Sequence, residues 1–489
     1  MVKLTDQKGI ALPIVLVLIA IMLLLGITVV SVINYDSKTI YSLNSSEQAL
    51  HIAEAGYNKY LWLLNNDTYF YKFGENEDEG FRIESTYVAS ENQEWAGYTK
   101  AYEKTAYSSG NKLIGYFKVE VTPPTISNPV VGVKSTGWTA DSSAYRTIYV
   151  EIHKRMFTNY VIFENGEGKG VYFSSDSRIK GPYFSNGDLL AYSGAKFFDF
   201  VGYVKNKDVK GVDFAKEPVK MSRLQMPATN SELTVWGSPA NGGYTYTGRT
   251  YILLDNKTLK IRQSDGTLSD NVSHPESGVI YIKSDRNGND RGDLYISGVL
   301  DGRLTIIAEG DIYICAKDPT DNTIRNNQKE YNEAYNYQGI TYASGDESIP
   351  TYENKNPANI SDDMLGLVTD NDIIIHNRTN NWPVANDGSV FTAVENLKIQ
   401  AALYCRTVRM QDLNYFERKY KNLKQIKYIG SRIVRYPSAT GFTNGSGYSS
   451  DNQFDYRMSY DAPPHFTEPV NSGWEVKSWR EVSSQEPLP

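Results

Sequence analysis

Two cysteines and five histidines in 489 residues leave little room for the chemistry that depends on them. His51, His153, His274, His376 and His465 are scattered and form no H-x-x-x-H or H-E-x-x-H pattern, which removes the usual zinc-hydrolase signature. The chain also lacks a G-x-S-x-G nucleophile elbow and a phosphate-binding glycine loop. It has no excess of positive charge: 50 Lys and Arg stand against 57 Asp and Glu, and the net charge is −7. A nucleic-acid binder shows a basic field, so no nucleic-acid partner is expected. Cys315 and Cys405 both sit in apolar stretches. A disulfide between them would need Cα atoms within about 7 Å, and two buried free thiols are the expectation.

What the chain does have begins at its amino end. The segment 10–33, from Ile10 to Ile33, contains no charged residue. A hydrocarbon core about 30 Å thick needs roughly 20 apolar helical residues, so this segment can span one. A secretory h-region is shorter, roughly 7–15 residues, and ends in a small-residue cleavage site. Here the run passes into "VINYDSK", with no cysteine to take a lipid. Before it stands "MVKLTDQKG", whose Lys3 and Lys8 favour a cytoplasmic amino terminus. Pro13 would cost roughly 3 kcal/mol in the middle of a helix. In a first turn its missing N–H has no partner to lose.

The abrupt Lys8-Gly9-Ile10 junction resembles the leader site of type IV pilins and type II secretion pseudopilins. That resemblance implies cleavage by a prepilin peptidase between Gly9 and Ile10, with Ile10, Pro13, Ile14 and Ile33 in the membrane stem. Where major pilins carry a glutamate to neutralise the terminal amine of a neighbouring subunit, this sequence has Ile14. A subunit with nothing above it needs no such partner, as does a chain that never polymerises. Downstream, Leu43, Ser46, Leu50, Ala53, Tyr57, Leu61 and Leu64 recur three or four apart, the spacing of an amphipathic helix. "ALHIAEAGYNKY" is similar to the A-x-x-A-E-A stretch of minor pilins with a PilX-type amino terminus. A stem helix over 10–66 is expected.

Thirty-seven tyrosines and 38 glycines favour strands and turns over helix in the rest of the chain. "FRIESTYVA", "LIGYFKVEVTPP", "VVGVKSTGWT" and "YRTIYVEIHKR" alternate with period two and predict an antiparallel sheet within 67–156. "VGVKSTGWTADSSAYRTIYVEI" also resembles the I-x-S-x-G and R-x-I-x-V-x-V strands of minor pilins. From 157 to 470 the rhythm changes. "GVIYIKSD", "GDLYISGVLDGRLTIIAEGDIYICAK", "LVTDNDIIIHN", "ENLKIQAALYCRTV" and "QIKYIGSRIVRY" are short β-branched strands divided by tight Gly, Asp and Asn turns. They predict a large all-β domain, a right-handed β-solenoid, with an antiparallel β-sandwich as the alternative. A polar insertion is expected at about 317–363, and a tail at 471–489. The segment 160–466 resembles a domain of unknown function that follows pilin-like stems. Gly181, Pro182, Ser185, Asn186, Gly187 and Leu189 match its opening, and "FDYRMSYDAPPHF" its close.

Two clusters in this half bear on chemistry. Asp370 and Asp372 flank Asn371 in a turn, and paired carboxylates can serve acid–base work on a glycosidic bond, although turns are rich in Asp for their own reasons. In "SDRNGNDRGD", Asp285, Asn287, Asn289 and Asp293 are spaced closely enough to share a Ca²⁺ ion. Asp290 and Ile296 stand where an EF-hand needs Gly and Glu, which leaves a solenoid-turn site or a plain turn. The resemblances together imply a non-enzymatic minor pilin or pseudopilin-like subunit, single-pass, with its bulk outside the membrane. Its β domain would sit at a filament tip for assembly priming or adhesion, with other pilin subunits, the peptidase, the membrane and a surface glycan or host ligand as partners. The alternative is a membrane-anchored β-helix that binds or cleaves cell-wall polysaccharide.

Overall fold

The computed structural model describes residues 11–87, 97–125, 128–168, 170–285, 290–316, 318–321, 339–376, 397–411, 425–437, 439–442, 447–470 and 472–487. A long amino-terminal apolar helix is followed by a large β-rich region, and the chain divides into two units. The first comprises Met1–Pro123, Val130–His153 and Trp474–Pro489; the second comprises Lys154–Gly473 with Pro124–Pro129.

The first unit is built on one helix, Ala11–Asn66, of 56 residues. Its carboxyl-terminal half lies on a sheet of β1 (Ile83–Tyr87), β2 (Thr99–Tyr102), β3 (Thr105–Ser109), β4 (Lys112–Thr122), β5 (Val131–Thr139) and β6 (Tyr145–Lys154). The order is β1-β2-β4-β5-β6, with β3 on β4, and these pairs are antiparallel. A seventh strand, Trp474–Val482, lies beside β6. The segment read from sequence as a tail therefore completes this sheet, and the whole second unit is spliced between two neighbouring strands. Asn65 holds the junction: its Oδ1 accepts from Trp474 N at 2.9 Å, and its Nδ2 donates to Trp474 O at 3.3 Å.

In the second unit the ladders are mostly parallel. Among the described strands the exception is Thr250–Asn256, Thr258–Gln263 and Leu268–Ser273, which form an antiparallel excursion. The antiparallel sandwich is thus not the arrangement found. The winding order does not follow the sequence. Ile162–Glu164 registers with Tyr183–Ser185, and Arg178–Lys180 stacks through Lys196–Phe197 on Asp213–Phe214. The chain then runs through 221–243 and resumes at Tyr244–Thr247, paired with Val279–Lys283. From there Leu294–Leu300, Gly339–Tyr342, Lys398–Cys405, Gln425–Val434 and Ser449–Phe454 stack back toward the start. The two runs meet where Arg432 registers with Ile162 and Asp451 with Arg178. Gly339–Tyr342 falls inside the expected 317–363 insertion and is a ladder strand; 317 and 322–338 lie outside the described residues.

Many of these strands contribute Ile, Leu or Val to a buried interior, with Ile252, Ile296, Ile314, Ile375 and Ile399 all buried. Gly298 shows what close stacking demands. Its φ is +115°, and a Cβ there would stand 2.2 Å from Leu254 O on the adjacent rung. Gly298→Ala is expected to cost about 2 kcal/mol or more, read as a lower midpoint for the β-rich transition in urea.

Candidate functional site

The stem helix has two different environments. Over 12–33 large apolar side chains face outward on every side, from Leu12, Ile14 and Val15 through Met22 and Leu25 to Val32 and Ile33, all at least half exposed or nearly so. A helix that is hydrophobic all round is stable only in an apolar surround, and this one is long enough to cross a bilayer. Pro13 stands near the start of the described helix, and Gly9 and Ile10 lie outside the described residues. Thr28 and Ser31 donate their hydroxyls to Leu25 O and Ile27 O at 2.8 Å, so this stretch leaves them no unmet polar demand.

From Ala49 onward the helix is seated. Ala49, Ile52, Ala53, Tyr60, Leu63 and Leu64 are buried, and Gly56 with them. Of the expected stripe, Ala53 and Leu64 are buried and Leu50, Tyr57 and Leu61 flank the contact, while Leu43 is exposed; Ala49, Ile52, Gly56, Tyr60 and Leu63 complete the buried face. The helix approaches the sheet through its smallest residues. Ser135 Oγ on β5 donates to Ala53 O at 2.7 Å. A Cβ at Gly137 would stand 2.3 Å from Ala49 O and 2.4 Å from Ala53 N, and one at Gly56 would meet Ser135 Oγ at 2.5 Å. Ser135 and Gly137 on β5 and Ala49, Ala53 and Gly56 on the helix are thus two halves of one close contact. Arg146 of β6 adds a bond to Ser46 Oγ at 2.6 Å and pairs with Glu481.

The other sequence-derived residues lie elsewhere. Of the Ca²⁺ candidates, Asn287 and Asn289 lie outside the described residues. Asp285 N donates to Asp290 O at 2.9 Å. Asp293 Oδ1 accepts from Asp311 N at 2.8 Å, Asp311 Oδ1 accepts from Asp372 N at 3.0 Å, and Asp372 takes Arg406 Nε at 2.7 Å and Arg409 Nε at 2.8 Å. In these Gly-Asp and Asn-Asp turns the Asp293 and Asp311 carboxylates therefore each accept the amide of the next turn's aspartate, and the series ends where Asp372 meets its two arginines. Among the described residues no group of three His, Cys, Asp or Glu side chains is placed to hold a metal. Asp370 and Asp372 serve different partners: Asp370 accepts from Asn230 Nδ2 at 2.8 Å, while Asp372 is held by its two arginines.

Burial alone would raise Asp372, but the Arg406 and Arg409 hydrogen bonds outweigh it and hold the carboxyl below its usual range. A depressed carboxylate contributes stability above its unfolded pKa, about 3.9, that is lost as pH falls through the folded value. Acid titration of the thermal midpoint should show the β-rich unit weakening below about pH 4, and Asp372→Asn should flatten part of that slope.

The histidines occupy unrelated settings. His51 pairs with Glu54 at 3.0 Å, His153 with Glu475 at 3.1 Å, and the His465 ring stacks on Trp236 with centroids 3.9 Å apart. Burial lowers both His274 and His465. His376 ends its strand, Asp372–His376. Cys315 and Cys405 are buried and not joined in a disulfide, and burial pushes the Cys405 thiol up.

No protein-family model matches this sequence, and no curated protein does. Among solved structures, the competence-associated pilin ComZ from Thermus thermophilus is similar to it over 90% of this chain and 98% of its own, at 11% identity and a TM-score of 0.26. A similarity at that level shows neither fold nor function.

Proposed function

We propose that this chain is a non-enzymatic minor pilin or pseudopilin-like subunit of a type IV filament system, anchored by residues 10–33 and displaying its β-rich unit outside the membrane. One observation carries the reading. A single unbroken helix is bare and apolar on all sides in its first half and seated on an antiparallel sheet in its second. A secretory signal needs no such seat, and a simple anchor needs no helix continuing rigidly into a domain.

In this reading Gly9 and Ile10 form the leader junction, and the apolar face of the stem meets other stems. The parallel ladders of the second unit are the coils of a right-handed β-solenoid. Stems packing about 8–10 Å apart would repeat too closely for so bulky a unit to decorate every subunit. Ile14 agrees, since a terminal subunit has no neighbour's amine to neutralise. The chain therefore belongs at or near a filament tip.

The intact mass of the protein from its native membrane tests this. Processing should remove residues 1–9 and leave Ile10 as the new terminus. Gly9→Val should retain the leader while the chain stays membrane-bound. A wild-type chain that keeps its leader overturns the filament reading, and gold-labelled antibody at regular intervals along the shaft would overturn tip placement.

A further inference from the structure

The parallel rungs of the second unit are finished differently at their two ends. At one, Thr250–Asn256 pairs with Leu294–Leu300 and gives its other edge to Thr258–Gln263, whose Leu259 and Ile261 are buried. At the other, the last turn of chain holds the short strands Lys207–Asp208, Asp213–Phe214 and Val219–Lys220. Each pairs with the rung before it and, among the described strands, with nothing beyond. Asp213 N and Ala215 N donate to Ala195 O and Phe197 O at 3.0 and 2.9 Å, and Met221 N donates to Tyr203 O at 2.8 Å. Backbone groups alternate sides along a strand, so the N–H and C=O of Phe214 and Lys220 face the open edge. From there the chain runs back past earlier rungs: Asn186, next to Tyr183–Ser185, accepts from Leu224 N at 2.9 Å and donates Nδ2 to Leu224 O at 2.6 Å.

Two properties of this end bear on what can cover it. The first is apolar surface. A stack of repeats ordinarily ends in a polar cap. Here Val209, Val212 and Phe214 pack on the buried interior and stay half-buried, while Val219 is 48% and Met221 41% exposed. The second is charge. The carboxylates of the last turn are all engaged: Asp208 accepts from the Tyr172 hydroxyl at 2.7 Å, Asp213 lies 3.5 Å from Lys196, and Glu217 lies 2.9 Å from Lys207. Lys205, Lys210 and Lys220 are exposed and have no carboxylate partner among the described residues. Lysines on an edge guard it against pairing with its own kind, because two such ends would bring like charges together. They do not repel a strand that is acidic.

We propose that this open end docks an extended acidic segment of a partner protein. The segment adds a strand at the free edge of Phe214 and Lys220, sets apolar side chains against Val219 and Met221, and brings carboxylates to Lys205, Lys210 and Lys220. A polypeptide fits better than an anionic lipid surface, which would meet the lysines but supply no alternating donors and acceptors for the edge. The site lies within the second unit and is independent of processing at Gly9, so its failure leaves the filament reading standing.

The test is fluorescence anisotropy of labelled peptides of about twelve residues with the full chain in phosphatidylcholine nanodiscs. One peptide alternates Glu with Val, one Lys with Val and one Glu with Ser. The Glu–Val peptide should bind in the micromolar range and more weakly as salt is added, with the other two at least about tenfold weaker. Lys205→Glu/Lys210→Glu/Lys220→Glu should weaken it about tenfold or more, and Val219→Ser/Met221→Ser several-fold. All five side chains are exposed, and circular dichroism checks that both variants keep the native fold. No binding of the Glu–Val peptide at about 1 mM, equal binding of the Glu–Ser peptide, or unchanged affinity in the folded variants overturns the proposal. So does tighter binding to phosphatidylglycerol vesicles than to the peptide, which would assign this end to a lipid surface, or pairing of loaded nanodiscs that Val219→Ser/Met221→Ser abolishes, which would assign it to a second copy.

Discussion

Gly137→Val is expected to unseat the stem helix and to cost the first unit about 3 kcal/mol or more. The glycine lies where β5 passes closest to the helix, and even a single Cβ would fall 2.3 Å from Ala49 O and 2.4 Å from Ala53 N. Those are backbone atoms inside a hydrogen-bonded helix, so no side-chain rotation relieves the clash. Either the helix moves away, exposing Ile52, Tyr60 and Leu63, or β5 bends and loses register with β4 and β6. Limited proteolysis should then cut within 49–66, which the native chain protects. Ser135→Ala provides a scale: it removes one hydrogen bond to Ala53 O without adding volume, and should cost only about 1 kcal/mol. Equal effects from the two substitutions would mean that the close approach is not what seats the helix.

Arg432→Met should destabilise the second unit by about 3–5 kcal/mol, and adding Glu164→Leu should recover much of that loss. Both residues are buried where the two runs of strands meet. Burial raises the Glu164 carboxyl; the Tyr183 hydroxyl, donating to it at 2.8 Å, and then the Arg432 charge pull it back part of the way. The guanidinium lies 5.3 Å from the Tyr428 ring centre, and its Nε finds no acceptor among the described residues. Taking away the cation leaves a carboxylate in an apolar interior with only a hydroxyl for company. Replacing both groups removes the desolvation penalty along with the attraction. Chemical denaturation of the single and double variants checks this, and a double variant no more stable than Arg432→Met would show that the two charges are not coupled.

The helix and most strands were legible because their signals are local. An uncharged apolar run, period-two alternation in "FKVEVT", and Asp before "IYI" and "III" each state an element on their own. Hydrophobicity points to Leu43 and Leu50 in the stem, whereas the closest approach to the sheet is made by Ala49, Ala53 and Gly56, whose value is their small size. "WEVKSWREV" was read as tail although Trp474 and Val476 alternate, because nothing nearby in the chain pairs with it. Its partner, β6, lies more than three hundred residues earlier. Parallel stacking order is hidden for the same reason: most of these strands are similarly rich in β-branched residues, so composition does not say which rests on which.

The splice between β6 and Trp474–Val482 also sets a timetable. Ribosomes add about 5–20 residues per second, so β6 must wait on the order of tens of seconds before its neighbour exists. During that interval its outer edge offers unpaired amides and carbonyls to any passing strand. The wait ends only when the second unit has closed on itself and brought its own ends together, as the Arg155 N to Gly473 O bond at 3.4 Å records. Completion of the small sheet is then a late event: until Trp474 reaches Asn65, β6 keeps an open edge.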